Sequence, residues 1–187
     1  MVIKKADTVE KQVEEKTQTE PISATLKGLL VDQLAHELRN HNLYQTFANF
    51  YAEKGLNLLS EYYRLRALEE YQHHEWIRWF LQENDISYKY PTVEAIDEEF
   101  KDLIDPIKLT VEVEEETTNM IYDIANQALE ENEHITYSWL NGNDKEHGAL
   151  IIEQLEEESL SNTVLQIAKM DDSWLIKEKA IMDLYKK

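Results

Sequence analysis

The sequence has no cysteine, which excludes a disulfide framework, a zinc ribbon and thiol catalysis. Glycine and proline are scarce, and there is neither an internal repeat nor a low-complexity segment. No run approaches the roughly 18 consecutive apolar residues of a membrane span. The opening MVIKKADTVEKQVEEKTQTEP has no apolar stretch behind its lysines of the kind a secretory leader carries. Basic charge is also in short supply, with 19 lysines and arginines against 38 aspartates and glutamates, a formal net charge of -19. Such a chain repels phosphate backbones and anionic lipid surfaces, so no nucleic acid and no membrane is expected as a partner. Cations are the natural partners, and a cytoplasmic location is the expected default. With 42% hydrophobic and 30% charged residues over 187 positions, the composition is that of one globular domain able to bury a sizeable core.

Residues 1–22 are polar, mixed in charge and without an apolar period, so they read as an N-terminal tail ahead of a helical domain spanning 23–187. From Leu26 to Glu53, the positions Leu30, Leu34, Glu37, His41, Tyr44, Ala48 and Tyr51 recur in steps of four and three, which puts them on one helix face ending at Gly55. A second helix from Leu58 to Asn84 carries Tyr63, Glu70, His73, Ile77 and Phe80 on its inner face. The weakly periodic stretch from Asp85 to Asp105 is too long for a tight turn and predicts a crossover. Asp105-Pro106 reads as a capping carboxylate followed by a proline at the first helical position. The helix it opens has Ile107, Val111, Glu114, Thr118, Ile121, Ala125 and Ala128 on one face. Asn141-Gly142-Asn143-Asp144 is the strongest turn signal, and residues 141–148 read as an exposed loop. Leu150, Gln154, Glu157, Ser161, Val164 and Ala168 share the face of a fourth long helix, and Ser173 to Tyr185 forms a short fifth one. The expected class is all-α: a four-helix bundle with one long crossover and a short C-terminal helix.

Each long helix interrupts its apolar stripe with polar groups at mid-height: Glu37, then Glu70 and His73, then Glu114, then Gln154 and Glu157. Taken singly, each has a plain reading. Acidic residues are abundant, so an isolated glutamate at such a position more often faces solvent. A lone His73 is more often a satisfied core histidine, and a lone Tyr44 is more often core than redox partner. His74, four residues after Glu70, competes with His73 as a ligand, but Ile77 and Phe80 continue the row of His73 whereas Arg78 continues that of His74. His36, His41, His134 and His147 read as surface or core polar groups. Taken together, four carboxylates and an imidazole converge in one bundle, and no lysine lies on these faces to pair with them. Buried carboxylates must be protonated, paired or metal-bound. Two divalent cations balance four carboxylates, and an oxygen-rich set with one histidine suits iron, with zinc or manganese able to compete.

The segments ELRNHNLY from Glu37 to Tyr44, EEYQH from Glu69 to His73, Glu114, and EQLEE from Glu153 to Glu157 resemble the ferroxidase motifs of bacterial non-haem ferritins, over about residues 26–185. The resemblance implies a ferritin-like bundle assembled as a 24-subunit homo-oligomer around a cavity. In it, Fe(II) is oxidised by O2 or H2O2 at a di-iron centre and stored as ferric oxyhydroxide. Carried over by position, Glu37, Glu70 and His73 hold the first iron, and Glu70 bridges to a second held by Glu114 and Glu157. Gln154 orients oxygen or water, Tyr44 is a one-electron donor beside the first iron, and Glu69, Glu153 and Glu156 form an additional iron site.

Two departures accompany this resemblance. The separation between Glu114 and Gln154 is several residues longer than the family pattern, the excess falling around Trp139 to Gly148. The tryptophan that normally precedes the Gln-x-x-Glu motif is replaced by Ala149-Leu150-Ile151. Trp76, Trp79, Trp139 and Trp174 are candidates for contacts between subunits. Two other functions fit the same helices: a non-catalytic metal-buffering or assembly bundle, and a rubrerythrin-like di-iron peroxidase. The last needs an electron-delivering cysteine site that this chain lacks.

Overall fold

Ser23 opens the first helix: its Oγ accepts from the Leu26 N–H at 3.0 Å, satisfying a donor that a helix start leaves bare. The computed structural model describes residues 21–142 and 149–186. Its helices are α1 (Ala24–Glu53), α2 (Asn57–Glu83), α3 (Asp105–Glu130), α4 (His134–Leu140), α5 (Leu150–Ala168) and α6 (Trp174–Tyr185), and no strand occurs among the described residues. The all-α expectation therefore stands, with the crossover and the short C-terminal helix in their expected places. The expected tail up to residue 20, and residues 143–148 of the expected loop with His147, lie outside the described residues.

Three helices end in the same way. Gly55, Asp85 and Asn132 follow the C-caps of α1, α2 and α3 with φ of 75°, 54° and 57°. The next N–H then reaches back to close the last turn, Leu56 to Tyr51 O at 3.0 Å, Ile86 to Leu81 O at 2.9 Å and Glu133 to Ala128 O at 2.8 Å. Glycine makes the first of these turns at no steric cost, whereas Asp85 and Asn132 carry a Cβ into the left-handed region.

The third of these turns shows where the third helix ends, which the sequence reading left open. It stops at Glu130, and Glu133 starts α4 by accepting from the Ile135 and Thr136 N–H groups at 3.4 and 2.7 Å. The extra length before Gln154 is thus spent partly on a separate short helix, whose Trp139 stacks on Phe80 at 4.3 Å. Asp105 departs from expectation. It is the first residue of α3 rather than its cap, and its Oδ2 accepts backward from the Lys101 and Asp102 N–H groups at 3.3 and 2.9 Å.

Apolar residues form two clusters. One gathers Leu43, Phe47 and Tyr51 of α1, Leu59, Tyr63 and Ala67 of α2, Ile107 and Val113 of α3, Val164 and Ala168 of α5, and Ile181 of α6. The other gathers Leu26, Leu30 and Leu34, then Trp76, Ile77 and Phe80, then Ile121, Ile124 and Ala128, with Leu140 and Leu150. Helix direction follows from which cluster each helix enters first: α1 and α5 run one way, α2 and α3 the other. Because α2 and α3 are parallel, the connection between them must traverse the bundle, which is why the crossover is long. Trp76 belongs to this interior and is almost wholly buried, so it is not a contact between subunits. The other three tryptophans retain exposure.

Helix α6 is held across the ends of two others. Glu178 Oε2 accepts from the Leu58 and Leu59 N–H groups at 2.8 and 3.3 Å, supplying α2 with the cap its own sequence lacks. Lys177 Nζ donates to Ala168 O at 2.9 Å, at the C-terminus of α5.

Candidate metal centre

Between the two apolar clusters lies a buried polar layer. Helical spacing builds it: Gln33, Glu37 and Asn40 come from α1, Arg66, Glu70 and His73 from α2, Glu114, Thr117 and Thr118 from α3, and Gln154, Glu157 and Ser161 from α5.

Two groups of potential ligands share this layer. In the first, Glu37, Glu70 and His73 each offer an atom, and the three lie within 4.8 Å of one another. Glu37 Oε2, both Glu70 oxygens and both His73 ring nitrogens are buried without a hydrogen-bond partner. The nearest oxygens to the ring are long ion-pair distances: Glu37 Oε2 at 3.8 Å from Nδ1, Glu153 Oε2 and Glu157 Oε1 at 3.6 and 3.8 Å from Nε2. Buried acceptors without donors are costly, and a divalent cation between them removes that cost. Glu37 is oriented for this by Gln33, whose Nε2 donates to its Oε1 at 2.6 Å.

The second group is Glu70, Glu114 and Glu157, also within 4.8 Å, so Glu70 is common to both. The sequence reading noted that no lysine faces these carboxylates and overlooked an arginine that does. Arg66 is buried at the same level, 1% exposed. Its Nη2 donates to Glu114 Oε1 at 2.6 Å and stands 3.7 Å from Glu70 Oε1, and its Nη1 lies 2.9 Å from Glu157 Oε1 and donates to Glu69 Oε2 at 2.8 Å. Glu114 is fully engaged: Tyr44 Oη donates to Oε1 at 2.5 Å and Gln154 Nε2 to Oε2 at 2.8 Å. The unpartnered atoms therefore concentrate in the first group, and the second already contains a cation.

Electrostatics follow from this crowding. Burial holds the Glu70 carboxyl well above its usual range, and Glu114, Glu157 and Glu37 push the same way against Arg66. Burial also lifts Glu157 to about 7, with Arg66 and His73 opposing. For His73, burial works against the charged ring, but Glu157, Glu153 and Glu37 outweigh it and raise the pKa to about 9. Arg66 likewise keeps its charge against burial because Glu157 and Glu114 face it. Burial, Glu114 and Glu70 raise the Tyr44 phenol well above its ordinary value. Without metal, the positive charge facing these carboxylates comes from the Arg66 guanidinium and the protonated His73 ring.

The remaining candidates are placed as follows. His74 is a satisfied core histidine, its Nδ1 2.8 Å from Leu34 O and its Nε2 against the Tyr90 hydroxyl, and it belongs to neither group. His36 pairs with Thr117 Oγ1 at 2.8 Å and His41 with Ala67 O at 2.6 Å. Glu69, Glu153 and Glu156 are not brought together as a third ligand group among the described residues. With Arg66, Glu157, Leu160 and Tyr185 they line a cleft of about 270 Å³. Glu69 is held there between Arg66 and Tyr185, whose hydroxyl donates to Oε1 at 2.7 Å. Sequence reasoning missed Arg66 and Gln33. Each lies four residues before a ligand, at Glu70 and Glu37, which places it on the same helix face.

A ferritin-like domain profile matches residues 27–169. A probable non-haem ferritin-like protein of Haemophilus influenzae is 26% identical over 144 residues, 77% of this chain and 83% of that protein. A non-haem ferritin of Staphylococcus aureus is 24% identical over 142 residues, 76% and 81% of the two chains. Among solved structures, an open-pore ferritin from the archaeon Archaeoglobus fulgidus superimposes with a TM-score of 0.77 at 23% identity, covering 87% of this chain and 97% of that one.

Proposed function

The chain belongs to the ferritin-like domain family, and on that premise we propose that it is an iron-storage ferritin that oxidises Fe(II) within each bundle and keeps the ferric product inside a multi-subunit shell. The observation that carries this reading is the set of unpartnered buried atoms on Glu37, Glu70 and His73, three residues whose potential ligand atoms lie within 4.8 Å of one another. Fe(II) is the substrate and O2 or H2O2 the oxidant. Carboxylate oxygens favour the harder Fe(III) over Fe(II), which makes oxidation easier.

In the paired reading, Glu37, Glu70 and His73 take the first ion, and Glu70 reaches a second held by Glu114 and Glu157. Two ions at one place supply two electrons together, so no one-electron-reduced oxygen species need escape. Gln154 holds Glu114 in position through its carboxamide. Tyr44, on the same carboxylate, is placed to donate one electron. Glu153 and Glu156, with Glu69 on the rim of the cleft, concentrate Fe(II) on the approach to Glu157. Gln154-x-x-Glu157 offers a weaker ligand set than a second Glu-x-x-His, so product leaves for storage. A shell of twenty-four copies in the cytoplasm completes the proposal.

Aerobic addition of Fe(II) tests it. A ferric absorbance rising at the ultraviolet edge, faster than in protein-free buffer and retained in a particle of shell size by light scattering, is expected. A stable monomer or dimer removes the storage reading, and a rate equal to that of buffer removes the enzymatic one. A second reading, a metal-buffering bundle that binds without turning iron over, draws support from one observation, the guanidinium lodged among Glu70, Glu114 and Glu157.

A further inference from the structure

We propose that Arg66 is a tethered cation that holds the second metal position, so that the two positions fill in sequence and the second ion enters only by displacing the guanidinium. The inference rests on the proposed metal centre and specifies how it loads. An ion bound by Glu114 and Glu157 lies about 2.0–2.2 Å from their oxygens. Arg66 already has its nitrogens 2.6 and 2.9 Å from Glu114 Oε1 and Glu157 Oε1. Glu157 Oε2 is unpartnered, but Arg66 already stands on the other oxygen of that carboxylate and on Glu114. Both cations therefore crowd the same two carboxylates, and at such separations like charges in a poorly screened interior repel strongly.

The guanidinium also has somewhere to go. Nη1 already donates to Glu69 Oε2 at 2.8 Å, and Glu69 is only half-buried, on the cleft where Glu153 and Glu156 stand. Turning toward these carboxylates keeps the charge paired while vacating Glu114. The first position needs no such step. Its atoms on Glu37, Glu70 and His73 lack partners, and Arg66 makes no ion pair with Glu37 and only a 3.7 Å one with Glu70. Order of filling is thus built into the metal-free layer: the ion at Glu37, Glu70 and His73 binds first. The second ion binds more weakly by the work of moving Arg66.

Anaerobic titration of the assembled protein with Zn(II), followed by calorimetry, reads this directly. The wild type is expected to bind one Zn(II) per chain tightly and a second at least about tenfold more weakly, roughly 1.4 kcal/mol apart. In Arg66→Gln, that gap is expected to close through tightening of the second site alone. Two equal sites in the wild type, or an unchanged gap in Arg66→Gln, overturns the proposal. Anomalous scattering from wild-type crystals removes any dependence on the variant's folding. At one equivalent, density is expected only among Glu37, Glu70 and His73, and at saturation a second peak with Arg66 turned onto Glu69. A second ion beside an unmoved guanidinium overturns the proposal. Ordered filling without any ferric core after Fe(II) and O2 leaves this inference standing and removes the storage function. Absence of Zn(II) from both positions removes both.

Discussion

Tyr44 donates its phenolic proton to Glu114 Oε1 across 2.5 Å, on the same oxygen that Arg66 Nη2 reaches at 2.6 Å. A carboxylate that receives a phenol, a guanidinium and the Gln154 carboxamide is held rigidly in the absence of metal. Tyr44→Phe removes one charge-assisted hydrogen bond from a buried acceptor. It is expected to lower the stability of the metal-free protein by about 1.5–3 kcal/mol, read from the denaturant midpoint. An unchanged midpoint means that the Tyr44 bond contributes nothing to the fold.

Loss of individual ligands should separate the two positions. Glu70 belongs to both groups, so Glu70→Ala is expected to weaken Zn(II) at both, whereas Glu157→Ala leaves Glu37, Glu70 and His73 and should retain one ion per chain. His73→Ala is expected to abolish the tight site. His74→Ala is expected to keep it, at a cost to the packing of α2 against Leu34 and Tyr90. Anaerobic stoichiometry is the readout. Two ions retained by Glu70→Ala contradicts the assignment.

Stability of the chelator-treated protein should fall as pH rises. His73 titrates at about 9 in the fold against an ordinary 6.5, and Glu157 at about 7 against 4.5. Both values are raised, so the folded state binds more protons than the unfolded one across this window, and stability declines with pH. The Glu157 contribution is complete below its ordinary value and lost through about 7. That of His73 is complete below 6.5 and lost through about 9. Denaturant midpoints at about pH 5 and pH 9 are expected in that order, the acidic one higher. Saturating Zn(II) should reverse the order, because the metal needs deprotonated ligands. A flat profile without metal contradicts the protonated layer.

Glu178→Ala removes the cap that α6 lends to α2. A loss of about 0.5–2 kcal/mol is expected, the usual range for a lost cap. Faster hydrogen exchange confined to residues 57–60 and to α6 would identify its source. Uniform acceleration across α1 and α3 would place the defect elsewhere.

How much of this was legible in the sequence depended on whether the signal was periodic. The faces of α1, α2 and α5 were, because Leu34, Glu37 and Tyr44 or Gln154, Glu157 and Ser161 repeat at helical steps, and their buried positions agree with that reading. The break at Asn132 was not, since Glu131-Asn132-Glu133 has neither glycine nor proline and the left-handed turn there rests on an asparagine. Arg66 was hidden for a different reason. Its spacing of four from Glu70 puts it on the inner face, but it also sits two residues from Arg64, which pairs with Glu61 on the surface, and spacing by itself does not tell a buried arginine from one that reaches out to solvent. Only the neighbouring helices, which bring Glu114 and Glu157 to it, make the difference.

The polar layer between two apolar clusters also acts as an indexing mark for the assembly of the bundle. Hydrocarbon surfaces alone tolerate a slip of one helical turn, about 5.4 Å, at modest cost. Here such a slip of α1 would carry Glu37 out of reach of His73 and toward the level of an apolar cluster, leaving ionisable groups of two helices stranded, a mismatch of several kcal/mol. The charges that prepare the chain for cations thereby also fix which turn of each helix faces which.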